Sequence, residues 1–233
     1  MMQITDYLLN SSIFEKSSEQ IKASDFLKDN YCKLTDHEKK SLLNFLLVSN
    51  FSHAFNKRPI VYEQITQYIA DKFHLSKSQI VLIGSAQTGF AIDSDNYGRP
   101  FSENSDLDFA IIDKPLFEKS NKDFNLWKSK TDNNEYSTEV KNRYWRDNQI
   151  NLKNQIKRGF LDTYKIPNFL EFETIQPINN SFALIVLKLK TMYKIEVKGA
   201  SVRIYKDWDT FRKQVKINIE SVLKKLETKR EME

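Results

Sequence analysis

Ile80-Val-Leu-Ile-Gly84-Ser85-Ala-Gln-Thr-Gly89-Phe, a polar insertion, and then Ser105-Asp106-Leu107-Asp108-Phe-Ala-Ile-Ile112-Asp113 make up residues 80–113. The first apolar run predicts a short buried strand, Ile80 to Ile83, entering a tight turn at Gly84-Ser85 and a short helix from Ser85. The second predicts a buried strand that opens with two aspartates one residue apart. Side chains alternate faces along a strand, so Asp106 and Asp108 share one side while Leu107, Phe109 and Ile111 bury on the other. Two carboxylates side by side on a rigid strand repel each other unless a cation sits between them. Mg2+ suits such a pair, because it takes a few carboxylate oxygens together with substrate phosphates. A glycine at the strand end lets the backbone approach a phosphate, and the N–H groups of the turn with the Ser85 hydroxyl favour a polyphosphate.

A hydrophobic strand, Gly-Ser, a short helix and a strand carrying Asp-x-Asp, in that order, resemble the polymerase-beta-like nucleotidyltransferase superfamily. The motif stands here as Leu82-Ile83-Gly84-Ser85 and Ser105-Asp106-Leu107-Asp108. The fuller string, with Gly98-Arg-Pro-Phe101-Ser between the halves, is similar to a bacterial branch associated with defence or toxin–antitoxin loci. The resemblance covers residues 80–113 and is weak elsewhere. It implies that Asp106 and Asp108 are catalytic and hold two Mg2+ ions, while Gly84 and Ser85 bind the phosphates of a nucleoside triphosphate, ATP first among them. It implies transfer of a nucleoside monophosphate to an RNA or partner-protein hydroxyl with release of pyrophosphate. The superfamily adds a third carboxylate from a neighbouring strand. Glu171, Glu173 and Glu196 each lie in a segment readable as strand, and Asp162 is a fourth, weaker option.

The 233 residues suffice for one substantial core or a core with a small helical addition. Only five Gly and five Pro exclude long flexible linkers, and no internal repeat is present. A single cysteine, Cys32, rules out an intrachain disulfide and matches a reducing cytoplasm. His37, His53 and His74 lack ligand spacing, so no zinc site is expected. The net charge of +5 is compatible with a polyanionic partner. Neither a secretory leader nor an apolar run of about 20 residues is present, so the expectation is a soluble, cytoplasmic protein that makes no use of a membrane.

Along the chain, short helical pieces are expected over residues 1–34. Thr35-Asp-His-Glu38 is a capping box that starts a helix through Leu42, Phe45 and Val48. Apolar residues at 62, 65, 69 and 73 predict a second helix, and Pro115 to Lys128 a third. Glu135–Arg158 reads as a long charged helix. Its Lys141, Arg143, Arg146 and Lys153, interleaved with Tyr144 and Trp145, form either a grip for nucleic acid or a solvated face. Gly159 to Pro167 reads as a connector. Phe182 to Val186 is a continuous apolar run, Leu187-Lys-Leu-Lys190 alternates like a strand, and Ile195–Val197 with Val202–Tyr205 suggests a further hairpin. Asp207 caps a last helix with a stripe through Trp208, Phe211, Val215 and Ile219.

These readings predict an α+β fold: a nucleotidyltransferase core, a mixed β-sheet flanked by helices, over residues 59–205. A helical N-terminal region, 1–58, precedes it, and a C-terminal helix, 206–233, packs on it. Two functions compete. One is the Mg2+-dependent transferase. The other is a binding module on the same scaffold, an antitoxin-like partner or nucleic-acid binder with little or no turnover. In the blandest reading, Gly84-Ser85 is an ordinary strand-to-helix turn and the aspartates cap loop N–H groups.

Overall fold

The computed structural model describes residues 23–49, 52–93, 95–136 and 139–232. The fold is α+β. Among the described residues are eight α-helices: α1 (Ala23–Asn30), α2 (Asp36–Asn44), α3 (Pro59–Phe73), α4 (Gly84–Thr88), α5 (Lys114–Asp132), α6 (Glu139–Lys157), α7 (Ile175–Lys188) and α8 (Trp208–Met232). The strands are β1 (Ile80–Ile83), β2 (Asp106–Ile112), β3 (Phe160–Asp162) and β4 (Gly199–Tyr205). They form one mixed sheet in the order β1-β2-β4-β3, with β2 and β4 parallel and both outer strands antiparallel to their neighbours.

The sheet separates two apolar layers. Leu107, Phe109 and Ile111 of β2 are wholly buried in the larger one, with Leu82, Val202 and Ile204 from the flanking strands. Helices α3, α5 and α7 close this layer through Ile69, Trp127 and Phe182, and the Phe109 and Phe182 rings meet edge-on at 5.2 Å. On the opposite face Ala110 and Ile112 pack with Val81, Phe160 and Tyr205 beneath Phe211 of α8. A third cluster joins α1 and α2 to α8 through Leu27, Leu43, Ile219 and Leu223.

Local sequence accounts for most boundaries. Thr35 forms the expected capping box with Glu38 before α2, and Pro59 occupies the first turn of α3. Asp113 ends β2 and starts α5, its carboxylate accepting from the Leu116 N–H at 2.7 Å. Asp207 does the same for α8, accepting from Thr210 N–H at 2.7 Å. The start of α7 takes its cap from afar, since Asp123 of α5 accepts from the N–H groups of Thr174 and Ile175 at 2.9 and 2.8 Å.

Three expectations are corrected. The apolar run from Phe182 is helix, and Leu187–Lys190, read as strand, is the end of α7 passing into a π-helical turn at Leu189–Tyr193. Its buried apolar residues, Ile175, Ile178, Phe182 and Ile185, recur at three or four residues, and that helical spacing outweighs the continuous apolar run. No hairpin forms between 195 and 205; β4 instead runs parallel to β2, seven residues in register. Gly159–Pro167, read as a connector, contains β3, whose three residues are all buried. The helical pieces expected before residue 23 and the side chains of Lys141 and Arg143 lie outside the described residues. Among the described residues no helix is long and apolar enough to cross a membrane.

Replacing Phe182 by Ala removes a fully buried ring from the larger layer. The expected cost is about 3–5 kcal/mol, read as a lower urea midpoint at unchanged slope.

Candidate functional site

The register of β2 decides what surrounds the two aspartates. Asp106 pairs with Gly199 of β4, while Asp108 lies between Ile83 of β1 and Ser201 of β4. In-register neighbours share a face, so Gly199, Ser201 and Arg203 lie beside Asp106, Asp108 and Ala110. Both aspartates are half-buried at the end of this face, beyond the apolar patch under Phe211.

Asp108 is held from two sides. Ser201 donates its hydroxyl to Oδ1 at 2.6 Å. Oδ2 stands beside Gly84, where an added Cβ would come within 3.2 Å of it. Gly84 has φ +66°, so the chain leaves β1 through a backbone conformation that side chains resist and turns immediately into α4. Gly199 gives Asp106 the same clearance, since a Cβ there would meet Oδ1 at 3.1 Å. Burial pushes the Asp108 carboxyl up, the Ser201 hydrogen bond opposes this, and the charge of Asp106 adds to the rise.

The Gly84-Ser85 turn is braced from behind. Ala86 is fully buried, and Ser52 donates its hydroxyl to the Ala86 carbonyl at 3.3 Å. The Thr88 hydroxyl donates to the carbonyls of Gly84 and Phe90 at 3.1 and 2.8 Å. The insertion after Gly89 folds back on itself: Ala91 N–H donates to Arg99 O at 2.8 Å and Phe101 N–H to Gly89 O at 2.9 Å. Phe90 anchors this arm to the α2–α8 cluster, while the Arg99 side chain is exposed.

A second charged group lies one step farther along the same face. Asp162 of β3 is opposite Arg203 of β4, and Arg203 donates from Nε to Oδ1 at 2.5 Å. Gln155 donates to Oδ2 at 2.6 Å, and Lys165 Nζ is 3.1 Å from the same oxygen. Burial pushes the Asp162 carboxyl up, but the Arg203 guanidinium and the Lys165 ammonium hold it below the usual carboxylate range. Asp162 is thus committed to this cluster and is separated from β2 by the whole width of β4.

The other candidates for a third carboxylate fall elsewhere. Glu171 is taken by Lys130 and Tyr136. Glu173 and Glu196 are exposed in segments outside the sheet. The strands flanking β2, Ile80-Val-Leu-Ile and Gly199-Ala-Ser-Val-Arg-Ile-Tyr, carry no carboxylate. No group of three or more metal-ligating side chains is assembled among the described residues. Asp106 and Asp108 still offer hard oxygen donors on adjacent same-face positions, the set that suits Mg2+ sharing its shell with phosphates. The chemistry of the donors fits that ion.

On α6, Arg146, Ile150, Lys153 and Lys157 are exposed along the side opposite buried Leu152, away from the sheet. The exposed Tyr144 belongs to another side of the helix, close enough to the exposed Tyr164 to influence it electrostatically. Ser201 and Arg203 were missed from the sequence. Their signal was the alternation over Gly199–Tyr205, with Val202 and Ile204 on the core face. No family profile, characterised protein or solved structure matches the chain, so its own geometry carries the reading.

Arg203→Met leaves Asp162 buried with a weakened set of partners, at an expected cost of about 3–5 kcal/mol at neutral pH. Replacing Asp162 by Leu in the same chain should recover most of that loss. The native pair's folded-state carboxyl lies below its unfolded value of about 3.9. Its contribution is therefore complete above that pH and disappears as pH falls through the folded value. Urea unfolding of the wild type and both variants at neutral and acid pH measures this, and equal stabilities at neutral pH would contradict it.

Proposed function

We propose that this chain is a Mg2+-dependent nucleotidyltransferase, built on a nucleotidyltransferase core, that moves a nucleoside monophosphate from a nucleoside triphosphate, ATP first among them, to a hydroxyl of RNA or protein. The observation that carries the reading is the position of Asp108, fixed through Oδ1 by Ser201 with Oδ2 turned to the backbone of Gly84. That arrangement puts a carboxylate oxygen beside the turn whose backbone can approach a triphosphate, with Asp106 two residues away on the same face. The resemblance over residues 80–113 adds a setting: a cytoplasmic protein of a bacterial defence or toxin–antitoxin system.

Asp106 and Asp108 hold the cations, Gly84 gives the phosphates room, and Ser85 offers a hydroxyl and an N–H group. Mg2+, when bound there, supplies charge neutralisation for the triphosphate and Lewis acidity toward the acceptor oxygen. The acceptor oxygen forms a bond to the α-phosphorus, and the bond from that phosphorus to the bridging oxygen breaks. Pyrophosphate leaves with the electron pair, and the hydroxyl proton passes to solvent. Ser201 keeps Asp108 in one orientation throughout, the kind of preorganisation on which phosphoryl transfer depends.

One observation favours a second reading. The residues flanking Asp106 and Asp108 are Gly199, Ile83 and Ser201, and none is the carboxylate that would help activate a hydroxyl. A nucleotide-binding module without turnover is consistent with that set.

Purified protein with Mg2+ and α-labelled ATP, in the presence of RNA and of cell lysate, separates the two. The Asp106→Asn/Asp108→Asn variant should lower label transfer by about a thousandfold or more, the scale on which losing a charge-stabilising group acts. Its melting temperature should not fall, because the exchange removes like charges and no packing. Transfer that persists in the variant would refute the enzyme reading. Mg2+-dependent ATP binding without transfer in the wild type would establish the second one.

A further inference from the structure

Among the described residues, the start of β4 has no strand partner on the β3 side. β3 pairs only with Arg203–Tyr205, so Gly199–Val202 extend past its end. The Tyr205 carbonyl accepts from Asp113 N–H on the β2 side, whereas the Val202 carbonyl accepts from the Thr163 hydroxyl on the β3 side. Alternation along the strand therefore turns the N–H and C=O of Ala200 outward, beyond the sheet. A cleft of about 540 Å³ lies against this edge, between the Tyr164–Asn168 segment and α7. Phe182, Ala183 and Val186 form its α7 wall, and Asn168 and Asn179 line it with amides whose NH2 groups donate to Asn180 Oδ1 and the Thr163 carbonyl.

Part of the cleft's lining belongs to the carboxylate face of the sheet. Gly199 and Ser201 line the cleft and pair with Asp106 and Asp108 of β2. Neither carries a bulky side chain over the strand, and Tyr164, another lining residue, is close enough to Asp108 to feel its charge. None of the described lining residues is charged, and the cationic stripe of α6 points away from the sheet. A nucleic-acid strand would bring its phosphates into a cleft without a cation, which counterion release disfavours. A neutral main chain meets what the cleft offers: an outward N–H and C=O between apolar walls.

We propose that this edge binds an extended polypeptide segment by strand addition, pairing with Ala200, and that a long hydroxyl-bearing side chain of the segment crosses Gly199 and Ser201 toward Asp108. Neighbouring strands lie about 4.8 Å apart, so the added strand sits about 10 Å from β2 and a short side chain falls short of the carboxylates. The binding surface stands on its own geometry, while the side chain's role as acceptor rests on the transferase reading above.

The test is amide hydrogen exchange on the whole protein with three probes: a blocked heptapeptide of alternating threonine and valine with a central tyrosine, oligouridylate, and ATP with Mg2+. The peptide should slow exchange over residues 199–202 by about tenfold. Ala183→Trp, which narrows the cleft from an exposed helix position, should weaken peptide binding by about tenfold at unchanged melting temperature. Should that variant melt lower, Ala183→Leu serves for the same comparison. No peptide protection over 199–202, or protection by oligouridylate in its place, overturns the proposal. ATP with Mg2+ reports separately, through protection of residues 84–86, so loss of that signal alone sinks the nucleotide reading and leaves the strand-addition site standing.

Discussion

Strand β2 must satisfy two incompatible environments at once, and the strict alternation of its side chains is what allows it. Leu107, Phe109 and Ile111 are removed from water completely, which fixes the strand's register against β1 and β4. A one-residue slip would exchange those three for Asp106, Asp108 and Ala110, burying two carboxylates in the larger apolar layer at a prohibitive cost. The core residues therefore hold the aspartates in place. The apolar face contributes stability, and the positions of the charges follow from it.

The second face is graded along its length. Near α8 it is apolar, with Ala110, Ile112, Tyr205 and Phe160 beneath Phe211. In the middle lies the Arg203–Asp162 pair, whose guanidinium also covers the Phe160 ring at 5.1 Å. At the far end are the two carboxylates, flanked by glycine and serine. The cations of the middle zone are spent on Asp162, held within 2.5 to 3.1 Å of it. Arg203 also attracts Asp108 but does not offset its burial, and burial with the neighbouring Asp106 keeps that carboxyl raised. The fold thus satisfies one buried acid and leaves a pair of acids short of positive charge, a local imbalance that a divalent cation is suited to correct.

Where one short-range pattern dominated, the fold was legible in the sequence. The apolar runs flanking Gly84-Ser85, the capping box at Thr35 and the cap at Asp207 all depend on residues within four positions of each other. The elements misread depend on distant partners. Phe182–Leu187 is a continuous apolar run that periodicity alone cannot assign, and its helix is begun by Asp123, some fifty residues earlier in the chain. The shortness of β3 leaves no alternation to detect, and it exists because Asp162 finds Arg203 across the sheet. The site was half legible for the same reason. Asp106, Asp108 and Gly84 belong to one contiguous motif, whereas Ser201 enters only through the parallel pairing of β4 with β2, which no local pattern announces.

That pairing also explains why the candidate site is built from small residues. A parallel neighbour in register presents a side chain beside every residue of β2 on the same face. Large residues opposite Asp106 and Asp108 would fill the space into which their oxygens project, as a Cβ at Gly199 already would at 3.1 Å. Gly199 and Ser201 keep that space open, and Gly84 does so from the side of β1. Both glycines sit at element ends, Gly199 opening β4 and Gly84 following β1, where a missing side chain costs the sheet little. A fold selected only for stability would extend the apolar patch of Ala110 and Phe211 over this end of the sheet. It instead sets small residues around its two carboxylates, Gly84 on the side of β1 and Gly199 with Ser201 on the side of β4.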